Sequence, residues 1–162
     1  LHVMIRPRAG DFCYSETEFE VMKRDVVTAK QFGADGVVLG LLTPELSVDI
    51  RRTSELVELA LPMSVTFHRA FDIARNLMEA LEEVIGCGCN RLLTSGQANS
   101  AEEGMPLLRE LVRFADGRII IMPASGITLS NINTIVLETS ATEIHVGTAA
   151  SNGVEYVTTI PR

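Results

Sequence analysis

The chain is 162 residues long, 46% hydrophobic and 22% charged, with 14 lysines and arginines against 21 acidic residues and a formal charge of −7. That balance belongs to an ordinary globular chain and excludes a disordered, collagen-like or disulfide-scaffold sequence. The acidic excess and the absence of Trp argue against a nucleic-acid binder, which needs a basic face and aromatic stacking surfaces.

At this length one domain is expected over residues 1–162. No apolar run reaches the roughly 18 residues that cross a bilayer, so no membrane partner is expected. Three cysteines, two of them crowded as Cys87-Gly88-Cys89, do not make a secreted disulfide framework, and a reducing, cytoplasmic compartment is expected. The chain opens on Leu1 and enters a strand-like run at once, as a chain cut within a longer protein would.

The first apolar run covers residues 2–5. Behind it Ser15-Glu16-Thr17-Glu18 reads as a capping box, in which the Ser hydroxyl and the Glu carboxylate each satisfy an orphan backbone donor. Phe19, Met22, Val26 and Ala29 then fall on one helical stripe, which Gly33 ends. A second run, 36–39, precedes a helix capped by Asp49, with Leu56, Val57 and Ala60 as its apolar side and Pro62 beyond it. After the third run, 64–67, Asn76 with Glu79 repeats the box ahead of Leu77, Leu81, Val84 and Ile85, and Gly86 stops the helix. The fourth run, 91–94, leads to a helix over 105–115 with Leu107, Leu108, Leu111 and Val112 buried, Pro106 in its first turn and Gly117 after it. The fifth run, 119–122, precedes a helix over about residues 130–139 that uses Ile132, Ile135 and Val136, and a sixth run covers 143–146.

These runs have few polar interruptions, as strands covered on both faces do. Measured between residues 3, 37, 65, 92, 120 and 144, their spacings are 34, 28, 27, 28 and 24. Six strands alternating with five helices imply a parallel α/β sheet with helices outside. A doubly wound sheet would announce a nucleotide site by G-x-G-x-x-G or G-x-x-x-x-G-K-S/T; neither occurs, and no nucleotide cofactor is expected. The near-constant period fits a TIM-type (β/α)8 barrel, which typically takes about 250 residues, so six units predict an incomplete, six-strand portion.

In such a barrel the chemistry sits where the strands end. Those positions hold Arg6 and Arg8 with Asp11, then Thr43 and Glu45, then His68, Arg69 and Asp72, then Ser95, Ser125, Gly126 and His145. Arg presents a planar fork matched to carboxylate or phosphate, so a concave site for a small anion is the direct inference. The alternative is structural: the same arginines pair with Asp11, Glu45 or Asp72. His68 is in phase with Thr66 and points into the barrel near its mouth. His145, between Ile144 and Val146, serves equally well as a buried imidazole. The stretch 122–128 could present backbone N–H groups to an anion where a helix starts, and with residues 147–150 it occupies the usual phosphate corner. The only lysines, Lys23 and Lys30, lie on the first helix, which excludes a strand-end Schiff base here. Cys87 and Cys89 precede a strand and belong to the opposite face, either as a soft Cu(I) site or as a short turn, whereas Cys13 lies on the active edge.

Val3-Met4-Ile5-Arg6-Pro7-Arg8 with Gly10-Asp11-Phe12, Thr66-Phe67-His68-Arg69-Ala70-Phe71-Asp72, Leu93-Thr94-Ser95-Gly96, and Met122-Pro123 with Gly126-Ile127-Thr128 closely resemble the CutC copper homeostasis family. The resemblance runs in order through nearly the whole chain. It implies a TIM-type barrel of which this chain lacks the first two βα units, a cytoplasmic location, and a role in copper binding or trafficking. It also carries Arg6, Arg8, His68, Arg69, Asp72 and Ser95 over as a polar cluster at the barrel mouth, with His145 as the histidine of the last strand. The chain departs from the family in having Ala124 and Ser125 where a run of glycines precedes Ile-Thr, and Val146, Gly147 and Thr148 after His145.

Two functions follow as expectations. The first is copper handling, with Cu(I) at Cys13 or at Cys87 and Cys89. The second is a barrel enzyme for a small phosphorylated or carboxylated metabolite, with Arg6, Arg8 and Arg69 binding charge and His68 or Asp72 moving a proton. Unpaired sheet edges at 2–5 and 143–146 would favour a homo-oligomer.

Overall fold

The computed structural model describes residues 1–147. Five of the six apolar runs form strands: His2–Met4 (β1), Gly36–Leu39 (β2), Ser64–Phe67 (β3), Arg91–Thr94 (β4) and Ile120–Pro123 (β5). They make one parallel sheet in the order 1-2-3-4-5, with Glu16–Gln31 (α1), Ile50–Ala60 (α2), Leu77–Gly86 (α3), Met105–Ala115 (α4) and Ile132–Thr139 (α5) between and after them. Strand order that never reverses is that of a barrel wall; a doubly wound sheet reverses at a switch point. The fold is a partial (β/α) barrel.

The helices start where the side chains dictate. Ser15 accepts from the Glu18 N–H while the Glu18 carboxylate takes the Ser15 N–H, completing the expected box, and Phe19, Met22, Val26 and Ala29 are buried on one stripe. Asp49 caps α2 through the Arg52 N–H. Asn76 departs from expectation: its side chain makes no cap, because its Nδ2 donates to the Glu79 carboxylate. Leu107 and Val112 are only partly buried, since Leu108 and Leu111 occupy the centre of the α4 contact stripe.

Val37, Leu39, Val65, Phe67, Leu92 and Ile121 point outward from the sheet and are buried beneath the helices. The alternate residues face the lumen, where Thr66 and Leu93 are buried at 1% and 8% as two-sided coverage requires, while Met4, on the edge strand β1, is 54% exposed. The sixth run is also corrected. Residues 143–147 form no strand, and their ladder contact is the His145 N–H to the Pro123 carbonyl at 3.0 Å. Among the described residues this stretch has a ladder contact on one flank alone.

One close approach fixes how β4 leads into α4. A Cβ on Gly104 would stand 1.8 Å from the Ser95 carbonyl oxygen, so only glycine lets the loop cross the end of β4. Gly104→Ala is expected to cost at least about 3 kcal/mol, the upper range for overpacking a rigid site, as read from urea unfolding midpoints.

Candidate functional site

The loop after β1 is tied together by Arg8. Its guanidinium donates to the Glu18 carboxylate at 2.6 Å, to Asp11 Oδ1 at 2.8 Å, and to the carbonyls of Ala9, Asp11 and Cys13 at 3.2, 3.3 and 3.0 Å. Its five donors are thereby committed to the protein. The neighbouring carboxylates hold Arg8 more firmly charged than usual, and Arg8 holds Asp11 and Glu18 below the ordinary carboxylate range. Arg6 is left more open, donating to the Gly10 carbonyl at 2.7 Å and lying 4.8 Å over the Phe12 ring.

Phe12 in turn covers His68, ring centroids 4.9 Å apart. His68 is 4% exposed and begins the 3-10 turn Arg69–Ile73, with Nδ1 accepting the Ala70 N–H at 3.1 Å. Burial pushes its pKa down to about 4, with Arg6 adding repulsion. The neutral ring carries its proton on Nε2, a buried donor without a partner among the described residues. Gly40 makes room for the ring, since a Cβ there would meet Nδ1 at 2.4 Å.

Sequence patterning places Arg69, Asp72 and Ser95 on the same edge but does not show how they join. Asp72 accepts from Arg69 Nε at 2.7 Å, from the Ser95 hydroxyl at 3.0 Å, from the Ser95 N–H at 3.1 Å and from the Thr94 hydroxyl. Its carboxylate is a fastener, fully occupied. Arg69 Nη2 also reaches Ser95 Oγ at 3.0 Å, which aims the guanidinium at a corner cavity of about 240 Å³.

That cavity is walled by Arg69, Ser125, Gly126, Ile127 and His145. Ser125 and Gly126 both take left-handed backbone, φ +83 and +67, a strained choice for Ser125. Their carbonyls are bound by the Ala101 N–H and Asn131 Nδ2 respectively. The N–H groups of Ser125, Gly126 and Ile127 have no acceptor among the described residues. The run of small residues before Ile127 is the sequence signal for this turn. Thr148, Ala149 and Ala150, the other expected part of the corner, lie outside the described residues.

The thiols are dispersed. Cys13 is exposed in the first loop, while Cys87 and Cys89 are buried at the far end of the sheet. Burial raises the Cys87 thiol and pushes Cys89 up to about 12, so both are held protonated. Among the described residues no three His, Cys, Asp or Glu side chains come together. No helix among them is long and apolar enough to cross a membrane.

The sequence model described as the CutC family matches residues 1–150. The chain belongs to the CutC family. A family protein CutC from Chromobacterium violaceum is 52% identical over 145 residues, 90% of this chain and 59% of that one. The mouse protein named copper homeostasis protein cutC homolog is 49% identical over 149 residues, 92% of this chain and 55% of its own. The chain thus spans less than two thirds of the length of these CutC relatives. The crystal structure of CutC from Streptococcus agalactiae superposes with a TM-score of 0.85 at 31% identity, covering 89% of this chain and 70% of that one. A mandelate oxidase, at 13% identity and TM-score 0.60 over 90% of this chain and 48% of its own, shares the fold alone.

His68 sets an acid limit on stability. Its folded pKa, about 4, lies below the ordinary 6.5, so between those values the unfolded chain binds the extra proton and stability falls as pH is lowered. The full loss is about 3 kcal/mol. It is complete only near pH 4, and the part between pH 6.5 and 5 precedes the protonation of the paired carboxylates. Urea unfolding of His68→Asn is expected to show a flatter pH profile across that upper interval than the parent chain; an unchanged slope would show that His68 is not the group responsible.

Proposed function

We propose that this chain, as one partial barrel domain, serves copper homeostasis in the cytoplasm with Cu(I) as its cargo, and that its mouth binds a small phosphorylated or carboxylated anion. Membership of the CutC family and the name carried by the mouse relative support the copper role. A single observation supports the anion: Ser125, Gly126 and Ile127, whose N–H groups have no acceptor among the described residues, line the same cavity as Arg69.

The roles then divide. Arg69 and the cradle hold charge, His145 flanks it, and Arg6 supplies a second cation at the rim. Asp72 and Ser95 orient Arg69, and Arg8 orders the loop. His68, neutral at physiological pH, donates a hydrogen bond through Nε2–H to a group at the mouth. His68 acts there as a hydrogen-bond donor and not as an acid or base, since a neutral imidazole does not give up its Nε2 proton at physiological pH, its Nδ1 is engaged by the Ala70 N–H, and the Asp72 lone pairs are taken. Association of copies through the edge of β1 belongs to the same reading.

Titration calorimetry with inorganic phosphate is expected to detect binding that Arg69→Ala weakens at least tenfold, whereas Arg8→Ala lowers the melting temperature and leaves affinity nearly unchanged. Equal affinity in the parent and Arg69→Ala would remove the anion site. For the copper role, the parent chain is expected to withdraw Cu(I) from bicinchoninate, and failure to compete at any ratio would sink that reading.

A further inference from the structure

Three side chains at the ends of β1 and β3 touch in series. The Arg6 guanidinium lies 4.8 Å over the Phe12 ring, and the Phe12 and His68 ring centroids are 4.9 Å apart, the planes tilted by 55°. Phe12 is thus in contact with a cation and with a buried imidazole. The Arg6 charge is felt at that imidazole, second to the effect of burial.

The groups beneath Phe12 are unsatisfied. His68 and Tyr14 are 4% and 5% exposed, and neither His68 Nε2 nor the Tyr14 hydroxyl has a hydrogen-bond partner among the described residues. Burial raises the Tyr14 hydroxyl, and Arg6 opposes that rise, which puts Arg6 beside both groups. Buried donors without acceptors are costly, and folded proteins leave few of them. His68 does not reach a partner by turning its ring, because Nδ1 holds the Ala70 N–H at 3.1 Å and the end of β2 at Gly40 is pressed against the same edge. An acceptor has to come to Nε2.

The loop that carries Phe12 is held unequally. Its backbone is pinned by Arg8, which spans Glu18, Asp11 and the Cys13 carbonyl, and by the Leu42 N–H, which donates to the Phe12 carbonyl at 2.9 Å. The half-buried Phe12 ring is held by aromatic and cation–π contacts, which are individually weak. The side chain is therefore free to rotate while the loop stays in place.

We propose that Phe12 is a gate over His68, released when an anion at the mouth takes Arg6. This rests on the mouth binding an anion. A charge-assisted hydrogen bond from guanidinium to phosphate or carboxylate is stronger than a cation–π contact at an exposed site, so the anion draws Arg6 off the ring. The ring then swings out and Nε2–H meets the bound ligand, so His68 is offered only to molecules that carry charge.

The test reads the two carbon-bound ring protons of His68 by NMR at pH 7, where the imidazole is neutral. The Phe12 ring current displaces these signals, and Phe12→Ala marks their uncovered position. Saturating inorganic phosphate is expected to move both signals of the parent chain more than halfway to that position. Arg6→Gln is expected to abolish the movement while calorimetry still detects phosphate held through Arg69. Where circular dichroism shows Phe12→Ala misfolded, Phe12→Leu, which keeps an apolar side chain and loses the ring current, supplies the marker. Phosphate that binds by calorimetry but leaves the His68 signals in place overturns the gate and leaves the anion site standing. Movement of the same size in Arg6→Gln overturns release through Arg6. No phosphate binding to the parent chain overturns the gate and the anion site together.

Discussion

The buried Asp72 carboxylate is the interaction on which the mouth depends. It lies in the 3-10 turn after β3 and takes its hydrogen bonds from the turn itself and from the end of β4, through Arg69, Thr94 and Ser95. Adjacent strands in a parallel barrel meet through their ladders, but nothing in a ladder fixes where the loops beyond it go. A carboxylate withdrawn from water must be satisfied by several donors, so Asp72 holds the two strand ends in one relative position. Arg69 is aimed as a result, and the Ser95 carbonyl is placed where only Gly104 can pass it. The route into α4 and the aim of the guanidinium thus share one anchor.

That anchoring changes the electrostatic picture of the mouth. Against a chain charge of −7, arginines at strand ends suggest a cationic opening. Arg8 is consumed by Glu18 and Asp11, and Arg69 is half-neutralised by Asp72. In the proposed anion site the remaining attraction would come from backbone N–H groups at 125–127, the outer edge of Arg69 and the exposed Arg6. Selectivity on that reading rests on geometry more than on net charge, because amides in a turn offer directed donors. His68 fits the same logic: buried between Phe12, Phe67 and Gly40, it contributes a dipole and no charge at neutral pH.

Much of the fold is legible in the sequence because strand and helix periods are local. The Ser15 box and the bounds of α4 follow from side chains within a few residues of the backbone they serve. What escapes is set at longer range. Residues 143–146 have a strand's composition, yet a strand needs neighbours, and β5 alone gives it one bond. The turn Arg69–Ile73 is too short for a periodic signal. Arg8 and Arg69 read identically as strand-end cations, and only the fold shows that one has spent its donors inward while the other faces a cavity.

His145 belongs to the wall of both cavities, the lumen and the corner. Its backbone is held to Pro123, the last residue of β5, so the imidazole is placed by the same strand that carries Met122 into the lumen and the 125–127 turn into the corner. One strand end thus positions the wall that the two cavities share.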